Sequence, residues 1–394
     1  MPQGDSYQVS VATQPPDQYC TVAQGSGTAQ ASVSNVAVTC AAGTASVLAA
    51  LPGSGYSTSG VPLLASNGDL YESTNNGFGS IVQITPAGKL SVLYSFAGGT
   101  ADGTDPGTLV QGPNGNLYGV TSVGGPTNTG SIFELTLGGA ETVLHFFTTG
   151  GSNALNPSSP LLLASDGNFY GVTSAGGTSG DGTLYRISPA GAYTVLYSFP
   201  IYNGSALSIP EGPLIQASNG ELVGTCYDGG TGGAGGVFTF DLKTDTETDL
   251  AMGVGTFSSP QNGVVQASDG NFYGVTTYSG SNVLFEVTPT GTASVVYNFN
   301  SGGSGAFTFT VGAGQLALGS DGDLYGAAGS GGSGNAGGVY RLDPTTGTLT
   351  SVYAFSGASG TTAEGAINGL SVGSNGWLYG TFNGPLPGGL FAID

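Results

Sequence analysis

The chain has 394 residues, 39% of them hydrophobic, which is enough for a sizeable packed core. Only 7% are charged, and 24 acidic residues against 4 basic ones give a formal net charge of -20. The basic residues Lys89, Arg186, Lys243 and Arg341 are scattered, so the sequence predicts neither nucleic acid nor an anionic membrane surface as a partner. No run reaches the ~20 apolar residues of a membrane span, so membrane insertion is not expected.

Residues 1–44 differ from the rest of the chain, because they alternate apolar and polar residues in three short runs typical of strands. Cys20 and Cys40 both lie in this segment, and this pair predicts a disulfide and an oxidising compartment. The phrases TVAQGSGT and VSNVAVTC resemble the C-terminal half of a small β domain of secreted bacterial proteins. The start, MPQGDSYQVSV, lacks the features of a signal peptide, so an excised mature chain is expected. We therefore predict a disulfide-stapled β extension before a main domain at 45–394.

Copies of one phrase, seen most clearly at 160–171 as PLLLASDGNFYG, fill that main domain. They recur about every 47 to 54 residues, a period typical of propellers and solenoids. Each copy contains an Asn-Gly or Asp-Gly pair, which begins at Asn67, Asn114, Asp166, Asn219, Asp269, Asp321 and Asn375.

Each copy is predicted to form four short strands, which are named A to D here in chain order. Strand A is the PLLLAS run, the Asn-Gly or Asp-Gly pair forms a tight hairpin turn, and strand B is NFYGVT. A Gly-rich loop precedes strand C, GTLYRIS, and a Pro-Ala-Gly turn at 189–191 precedes strand D, YTVLYSF. Four antiparallel strands in about 50 residues is the composition of a β-propeller blade.

The ends of the chain indicate how the ring closes. The last copy stops after strand C, at 391–394, and an isolated strand D is found at 45–51 before the first copy. This arrangement predicts an all-β, seven-bladed propeller whose N-terminal strand completes the last blade and leaves no open edge. An open β-solenoid is the competing architecture, but it does not require the split copy.

The repeated phrase resembles that of the bacterial tandem-repeat family called GloVer. The segments TVLYSF, GPLIQASNGELVGT and GGVFTFD carry the resemblance, which extends over 45–394. Members of that family are secreted or displayed at the surface, so the resemblance implies an extracellular or cell-surface bacterial protein. It implies no particular reaction.

The two faces of a propeller have different connections. The D–A and B–C connections form one face, called the loop face here, and the A–B and C–D turns form the other, the turn face. The repeated Asn/Asp-Gly and Pro-x-Gly turns fall on the turn face and are expected to be structural. The longer connections that differ between copies fall on the loop face, where function is usually located. The predicted loops are 97–107, 148–159, 200–212, 300–314 and 356–368 between blades, and 121–130, 174–182, 226–236 and 327–338 within blades.

Aromatic, amide and carboxylate side chains are predicted to meet on the loop face, a combination that suits sugars because rings stack and oxygens accept from hydroxyls. Those just before strand A, the innermost strand, are expected at the mouth of the central channel; they are Glu211, Gln261, Asn262 and Asn368. Solvated loop residues without a ligand are the alternative interpretation. The predicted ligand-binding residues are Tyr202, Glu211, Tyr227, Asp228, Gln261, Asn262, Tyr278 and Asn368.

Glycoside hydrolysis needs two carboxylates roughly 5 to 10 Å apart, and the first candidates are Glu211 with Asp228 or Asp105. His145 is the only histidine, so a Ser-His-Asp triad or a site with two imidazoles is not expected. It takes the place of tyrosines in other copies of strand D, and we interpret it as structural. Cys226 takes the place of threonines in strand B and is interpreted in the same way.

No cofactor is expected. Calcium is a weaker option, because acidic residues cluster at 102–105 and 321–323, but neither segment forms an EF-hand loop. Turn preference alone explains Asp321 and Asp323.

These features favour a secreted or cell-surface propeller that binds a polysaccharide or a surface protein through its loop face. One alternative is a carbohydrate-active enzyme, a glycoside hydrolase or polysaccharide lyase, that uses acids on that face. Another is a structural surface or filament subunit in which residues 1–44 dock a neighbouring subunit.

Overall fold

A computed structural model gives the architecture, and it describes residues 6–8, 19–23, 26–28, 37–41, 45–51, 57–149, 154–157, 159–202, 204–230, 232–253, 257–277, 282–299, 310–311, 314–330, 337–355, 367–373, 375–382 and 389–393. Within these ranges the protein is all-β and has no helix, so the described part contains none that could cross a membrane.

Seven antiparallel sheets are arranged in a ring as the blades of a propeller, which confirms the predicted fold. In each blade strand A is at one edge of the sheet and strand D at the other. Where strand A is divided into two pieces, both pair with strand B.

The first four blades have these strands. Blade 1 contains β6 (Leu63–Leu64), β7 (Leu70–Thr74), β8 (Ser80–Ile84) and β9 (Leu90–Ser95). Blade 2 contains β10 (Gly103–Pro106), β11 (Val110–Gln111), β12 (Leu117–Gly124), β13 (Ser131–Leu135) and β14 (Glu141–Phe146). Blade 3 contains β15 (Ala154–Pro157), β16 (Leu162–Leu163), β17 (Phe169–Gly176), β18 (Thr183–Ile187) and β19 (Tyr193–Ser198). Blade 4 contains β20 (Leu207–Gln216), β21 (Leu222–Gly229), β22 (Gly236–Asp241) and β23 (Thr246–Met252).

The remaining strands complete the ring and the N-terminal extension. Blade 5 contains β24 (Val264–Gln266), β25 (Phe272–Thr276), β26 (Val283–Val287) and β27 (Ala293–Asn298). Blade 6 contains β28 (Thr310–Val311), β29 (Ala317–Leu318), β30 (Leu324–Ser330), β31 (Gly338–Asp343) and β32 (Thr348–Ala354). Blade 7 contains β33 (Ile367–Val372), β34 (Leu378–Phe382), β35 (Gly389–Ile393) and the N-terminal strand β5 (Ala45–Ala50). The extension contains β1 (Ser6–Gln8), β2 (Tyr19–Ala23), β3 (Ser26–Thr28) and β4 (Ala37–Ala41).

The predicted closure of the ring is confirmed. Strand β5 pairs antiparallel with β35, with Ala45 opposite Ile393 and Ala50 opposite Gly389. A buried cluster that includes Leu51 of this segment and Leu390 of blade 7 continues into Leu70 of blade 1. Strand β5, from the beginning of the propeller, and β35, from its end, are therefore neighbours in one sheet.

The extension forms two small sheets of its own, β1 with β3 and β2 with β4. In the second sheet Cys20 lies directly opposite Cys40. Directly opposed residues of antiparallel strands have Cα atoms about 4.5 to 5.5 Å apart, which is within the range that a disulfide spans. The disulfide itself stays a prediction.

The Asn/Asp-Gly pairs form hairpin turns in all seven blades. In each turn the Asn or Asp side chain accepts from the backbone N–H two residues later, as Asn67 Oδ1 does from Asp69 at 3.1 Å. The glycines have φ between 80° and 91°, which explains why glycine is required. A tyrosine four residues after the Asn or Asp also bonds to its side chain, as between Tyr170 and Asp166 at 2.7 Å, except in blade 4, where Val223 takes its place. These contacts confirm the structural interpretation of the turns.

Glutamines of strand A link neighbouring blades near the turn face. Gln216 Oε1 of blade 4 accepts from the Ser165 backbone N–H of blade 3 at 2.8 Å, and its Nε2 donates to the Gly220 carbonyl at 3.0 Å. Gln111 and Gln266 make the same pair of contacts at two other junctions.

The strands extend further towards the loop face than the sequence predicts. Residues 103–106, 154–157 and 207–211 belong to strand A, and 121–124, 174–176 and 226–229 belong to strand B, although all were predicted to be loops. These segments contain glycine and proline, which are unfavourable within strands, so the sequence did not indicate that the strands continue through them. Asp105, Glu211 and Asp228 are therefore held in sheets.

The residue before a proline has a left-handed backbone in four consecutive blades, with φ of 54°, 54°, 53° and 49° at Asp105, Asn156, Ile209 and Ser259. In this conformation the Ile209 N–H donates to the Asp181 carbonyl of the preceding blade at 2.9 Å. The equivalent N–H groups of Asp105 and Ser259 donate to the preceding blade in the same way. In blades 2, 4 and 5 the residue with the left-handed backbone therefore ties strand A, or the segment just before it, to the B–C loop of the preceding blade.

Candidate functional site

A cavity of about 630 Å³ lies at the centre of the ring and is bordered by residues from all seven blades. Residues within or just before strand A form the wall, with the exception of Asn75, which follows strand B of blade 1. Hydroxyl and amide side chains alternate there with proline, glycine, leucine and valine. The polar side chains in the wall are Thr58, Ser59, Asn75, Thr108, Gln261, Asn262, Gln315 and Ser371.

Gln261 in the cavity wall is hydrogen-bonded to an acid of blade 4. Gln261 Nε2 donates to Glu211 Oε2 at 3.1 Å, which links blades 4 and 5. Burial raises the pKa of the Glu211 carboxyl above its ordinary value, and the hydrogen bond from Gln261 opposes this shift. The neighbouring Asn262 Nδ2 is buried and has no acceptor among the described residues. Gln261 and Asn262 both line the central cavity, and their role in ligand binding stays a prediction.

A second cavity of about 350 Å³ adjoins the first and shares Ser59, Asn75, Thr108 and Pro160 with it. It lies between blades 1, 2 and 3, and Asp105 is one of the residues that line it. Other hydroxyl groups in its wall belong to Ser122 and Ser159. Because they share these wall residues, the two cavities are adjacent on the side of blades 1 to 3.

Tyr202 and Asp228 lie together between blades 3 and 4. The Tyr202 hydroxyl and Asp228 Oδ1 are each 3.2 Å from the position that a Cβ atom on Gly233 would occupy. Tyr202 is 46% exposed, and its backbone N–H donates to Asp181 Oδ2 at 2.9 Å. This group is separate from the walls of the two central cavities.

The first candidate pair for hydrolysis, Glu211 and Asp228, does not face one space. Glu211 is opposite Thr225, and Asp228 is opposite Ser208, in the same pair of strands. Because opposed residues share a sheet face and successive residues alternate, the two acids project from opposite faces of blade 4. Glu211 contacts Gln261 of blade 5, whereas Asp228 lies near Tyr202 beside blade 3. Asp105, the other candidate partner, is in blade 2.

The other candidates are distributed as follows. Tyr227 is half-buried in strand B of blade 4. Tyr278 lies outside the described residues, and Asn368 is described only as part of β33. The acids at 102 and 321, which the calcium option used, already accept other hydrogen bonds: Asp102 from Tyr94, Ala97 and Gly103, and Asp321 from Asp323 and Tyr325. Within the described ranges no three His, Cys, Asp or Glu side chains group together as metal ligands.

His145 and Cys226 have structural surroundings. The His145 ring stacks on Tyr193 with centroids 3.8 Å apart, and burial lowers its pKa to about 4. Cys226 is fully buried, and burial raises the pKa of its thiol well above the ordinary value. Neither group is prepared for proton transfer or nucleophilic attack on the loop face.

Glu72 is a buried acid that the sequence interpretation missed. It occupies the position of strand B that is glycine in the other six blades, as at Gly119 and Gly224. It shares a sheet face with Leu70 and Val82, which pack against blade 7. Glu72 Oε1 accepts from the Gly60 N–H of the cavity wall at 3.2 Å, and Oε2 has no partner among the described residues. Burial raises its pKa to about 8. The signal was present, since one glutamate interrupts a column of glycines.

Comparisons with known proteins agree with this architecture. A sequence profile of the Gloeobacter/Verrucomicrobia repeat matches residues 7–238 and 209–394. No curated protein sequence gives a match.

Several solved structures are similar in fold. The extracellular domain of a protein described as a one-component system of B. thetaiotaomicron superposes with a TM-score of 0.58 and 13% identity over 88% of this chain and 39% of that one. The oligogalacturonate lyase of Vibrio parahaemolyticus has a TM-score of 0.57 and 11% identity over 100% and 98% of the two chains. A puromycin-hydrolyzing peptidase of Mycobacterium tuberculosis has a TM-score of 0.55 and 15% identity over 86% and 51%. The chain thus spans 39% of the first of these structures. At such identities the likeness concerns the fold alone.

Proposed function

Because the chain belongs to the Gloeobacter/Verrucomicrobia repeat family and folds as a seven-bladed propeller, we propose that it is an extracellular or cell-surface bacterial protein that binds carbohydrate on its loop face. The observation that carries the proposal is the central cavity, which residues of all seven blades border and to which blades 1, 2, 5, 6 and 7 contribute amide or hydroxyl side chains. Its volume, about 630 Å³, falls within the range of ordinary ligand sites.

The chemistry of the wall supports a hydroxyl-rich ligand. Amide groups both donate and accept hydrogen bonds, and serine and threonine hydroxyls do the same, so together they suit sugar hydroxyls. Gln261 is oriented by Glu211, and Asn262 lies beside it in the cavity wall.

Exposed rings at the edge of the loop face support a ligand larger than one sugar. Phe78 in the B–C loop of blade 1 is 56% exposed, and Tyr202 beside blade 4 is 46% exposed. Aromatic rings present an apolar face that stacks against the C–H face of a pyranose. These rings lie outside the central walls, so the proposed ligand is an oligosaccharide or polysaccharide that extends from the cavity across the face.

The proposed extracellular location rests on the two cysteines of the N-terminal extension and on the family resemblance. Cys20 and Cys40 are opposed in the β2–β4 pair, and a disulfide between them requires an oxidising compartment. The family resemblance also favours secretion or surface display.

Binding to a panel of soluble polysaccharides and defined oligosaccharides, measured by calorimetry and by glycan array, tests the proposal. The same mixtures are analysed by chromatography for new reducing ends or unsaturated products. We expect binding without product release. Product release would instead support the carbohydrate-active enzyme, and the absence of any binding would overturn the carbohydrate proposal in favour of a protein partner.

Variants locate the site. Asn262→Ala removes an amide from the cavity and is expected to weaken binding about threefold to tenfold, the effect of one hydrogen bond. Gln216→Ala is the control, because it also removes an amide but on the turn face, and it should leave the affinity unchanged below its melting temperature. An unchanged affinity in Asn262→Ala would place the ligand outside the central cavity.

A further inference from the structure

The four basic side chains of the chain all lie on one side of the ring. Lys89 ends a C–D turn of blade 1, in which the Thr85 N–H donates to its carbonyl. Lys243 lies in the C–D turn of blade 4, where its N–H donates to Asp241 Oδ1 at 2.8 Å. Both lysines are therefore on the turn face.

The two arginines lie at the turn-face ends of their strands. Arg341 contacts Asp323 of an A–B turn, with 3.3 Å between Nε and Oδ2. Arg186 is opposite Tyr170, whose hydroxyl bonds to Asp166 of another A–B turn. With only 4 Lys and Arg in the whole sequence, no Lys or Arg remains for the loop face.

Acidic side chains, in contrast, remain on the loop face. Asp105 is exposed at the second cavity, and Asp181, Glu211 and Asp228 are half-buried around the rim. In the described part of the chain the one ion pair is that of Arg341 on the turn face, so none of these acids is neutralised by a cation. The loop face thus has a negative potential, which the net charge of -20 reinforces.

We infer that the loop face selects uncharged glycans and rejects glycans built from uronic acids. The inference rests on the proposed function and defines its ligand class. A uronate chain has one carboxylate per sugar, and recognition of carboxylates ordinarily uses arginine or lysine, which this face lacks. Hydroxyl and amide groups, which the cavity wall provides, recognise neutral sugars without a charge partner.

A matched pair of ligands tests the inference on the intact chain. β-1,4-linked mannohexaose and the β-1,4-linked mannuronate hexamer share stereochemistry and linkage and differ in the oxidation of C6. Cellohexaose, xylohexaose and hexagalacturonate extend the comparison to other sugars. We expect the neutral hexamers that bind to do so at least about tenfold more tightly than the uronates at low salt, since like charges repel over long distances there. The difference should decrease between about 10 mM and 150 mM salt, as the Debye length falls from about 30 Å to about 8 Å.

A pair of variants distinguishes the effect of a charge on the loop face from the effect of the net charge of the protein. Asp105→Asn removes one negative charge from the loop face and should raise the affinity for uronates, relative to the affinity for neutral hexamers, about twofold to threefold at low salt. Asp245→Asn is the control, because Asp245 is also exposed and has a similar backbone, with φ of 52° against 54°, but lies on the turn face. Asparagine tolerates this conformation, so both variants should fold.

Each outcome has a defined meaning. Neutral hexamers that bind while uronates do not, with a response to Asp105→Asn but not to Asp245→Asn, support the inference. Uronates that bind as tightly as neutral hexamers overturn it and leave carbohydrate binding intact. An equal response to both substitutions overturns the assignment to the loop face. If no glycan of either class binds, the proposed function itself is wrong.

Discussion

Glu72 lies directly opposite Val82 in the pairing of strands B and C of blade 1. The other six blades pair a glycine with an aromatic residue at this position, as Gly119 with Phe133 in blade 2. A Cβ atom on Gly119 would be only 2.6 Å from Phe133 Cζ, so the ring occupies the space that a side chain would need. In blade 1 the smaller valine leaves that space to the glutamate.

This exchange predicts a strong coupling between the two positions. Glu72→Gly alone should destabilise the protein by leaving a cavity, and Val82→Phe alone by overpacking against the carboxyl, each by about 1 to 3 kcal/mol. The double variant restores the arrangement of the other blades and should recover 1 to 3 kcal/mol of coupling, on the order measured for contacting residues. Urea denaturation of all four proteins measures it. Additive losses would show that the two side chains do not share one space.

Glu72 also predicts a dependence of stability on pH. Its pKa is about 8 in the folded state against an ordinary value of 4.5, so the folded state binds more protons between these values. The free energy of unfolding is therefore not reduced by this group below pH 4.5, and it falls as the pH rises towards 8. At about 1.4 kcal/mol per pKa unit, the loss is at most about 4 to 5 kcal/mol.

Glu72→Gln is the corresponding test, because it keeps the shape of the protonated acid and cannot ionise. Burial also raises the pKa of Glu141 and of Glu247 to about 7, so the difference between wild type and variant is the quantity of interest. Urea denaturation from about pH 5 to pH 9 should show Glu72→Gln gaining stability relative to wild type as the pH rises. Parallel curves for the two proteins would contradict the buried, protonated state of Glu72.

Ile209 predicts a stabilising substitution. Its φ of 53° is unfavourable for a β-branched residue, and Asn156 takes the same conformation in blade 3. Ile209→Asn should therefore stabilise the protein by about 0.5 to 1 kcal/mol through relief of backbone strain. Ile201→Asn is the control, since Ile201 is 63% exposed and is not among the residues with positive φ. Equal shifts of the melting temperature in both variants would mean that replacing an apolar side chain by a polar one, and not relief of strain, causes the effect.

The arrangement of the cysteines predicts how many thiols react with an alkylating reagent. If Cys20 and Cys40 are joined, the denatured, unreduced protein should react at Cys226 alone, and the native protein should not react because that thiol is fully buried. Mass spectrometry after alkylation, with and without a reductant, gives the count. Three reactive thiols in the unreduced, denatured protein would exclude the disulfide in the sample measured.

The sequence by itself determined the fold, the number of blades and the strand that closes the ring. Repetition made this possible, because each copy presents the same turn chemistry and the missing strand D of the last copy is visible at 45–51. It also predicted positions for Gln261 and Asn262 at the central channel, since they precede the innermost strand as their equivalents do in other blades.

Only the tertiary structure decided which side chains meet. Glu211 and Asp228 are close in sequence, but alternation along the sheet directs them towards different blades. Glu72 reaches the wall residue Gly60 because Val82, on another strand, leaves room for it. The position of all four cations on the turn face likewise depends on where turns and strand ends lie in the closed ring. Turn chemistry is local and readable from sequence, whereas contacts between blades depend on the registers and sheet faces that packing selects.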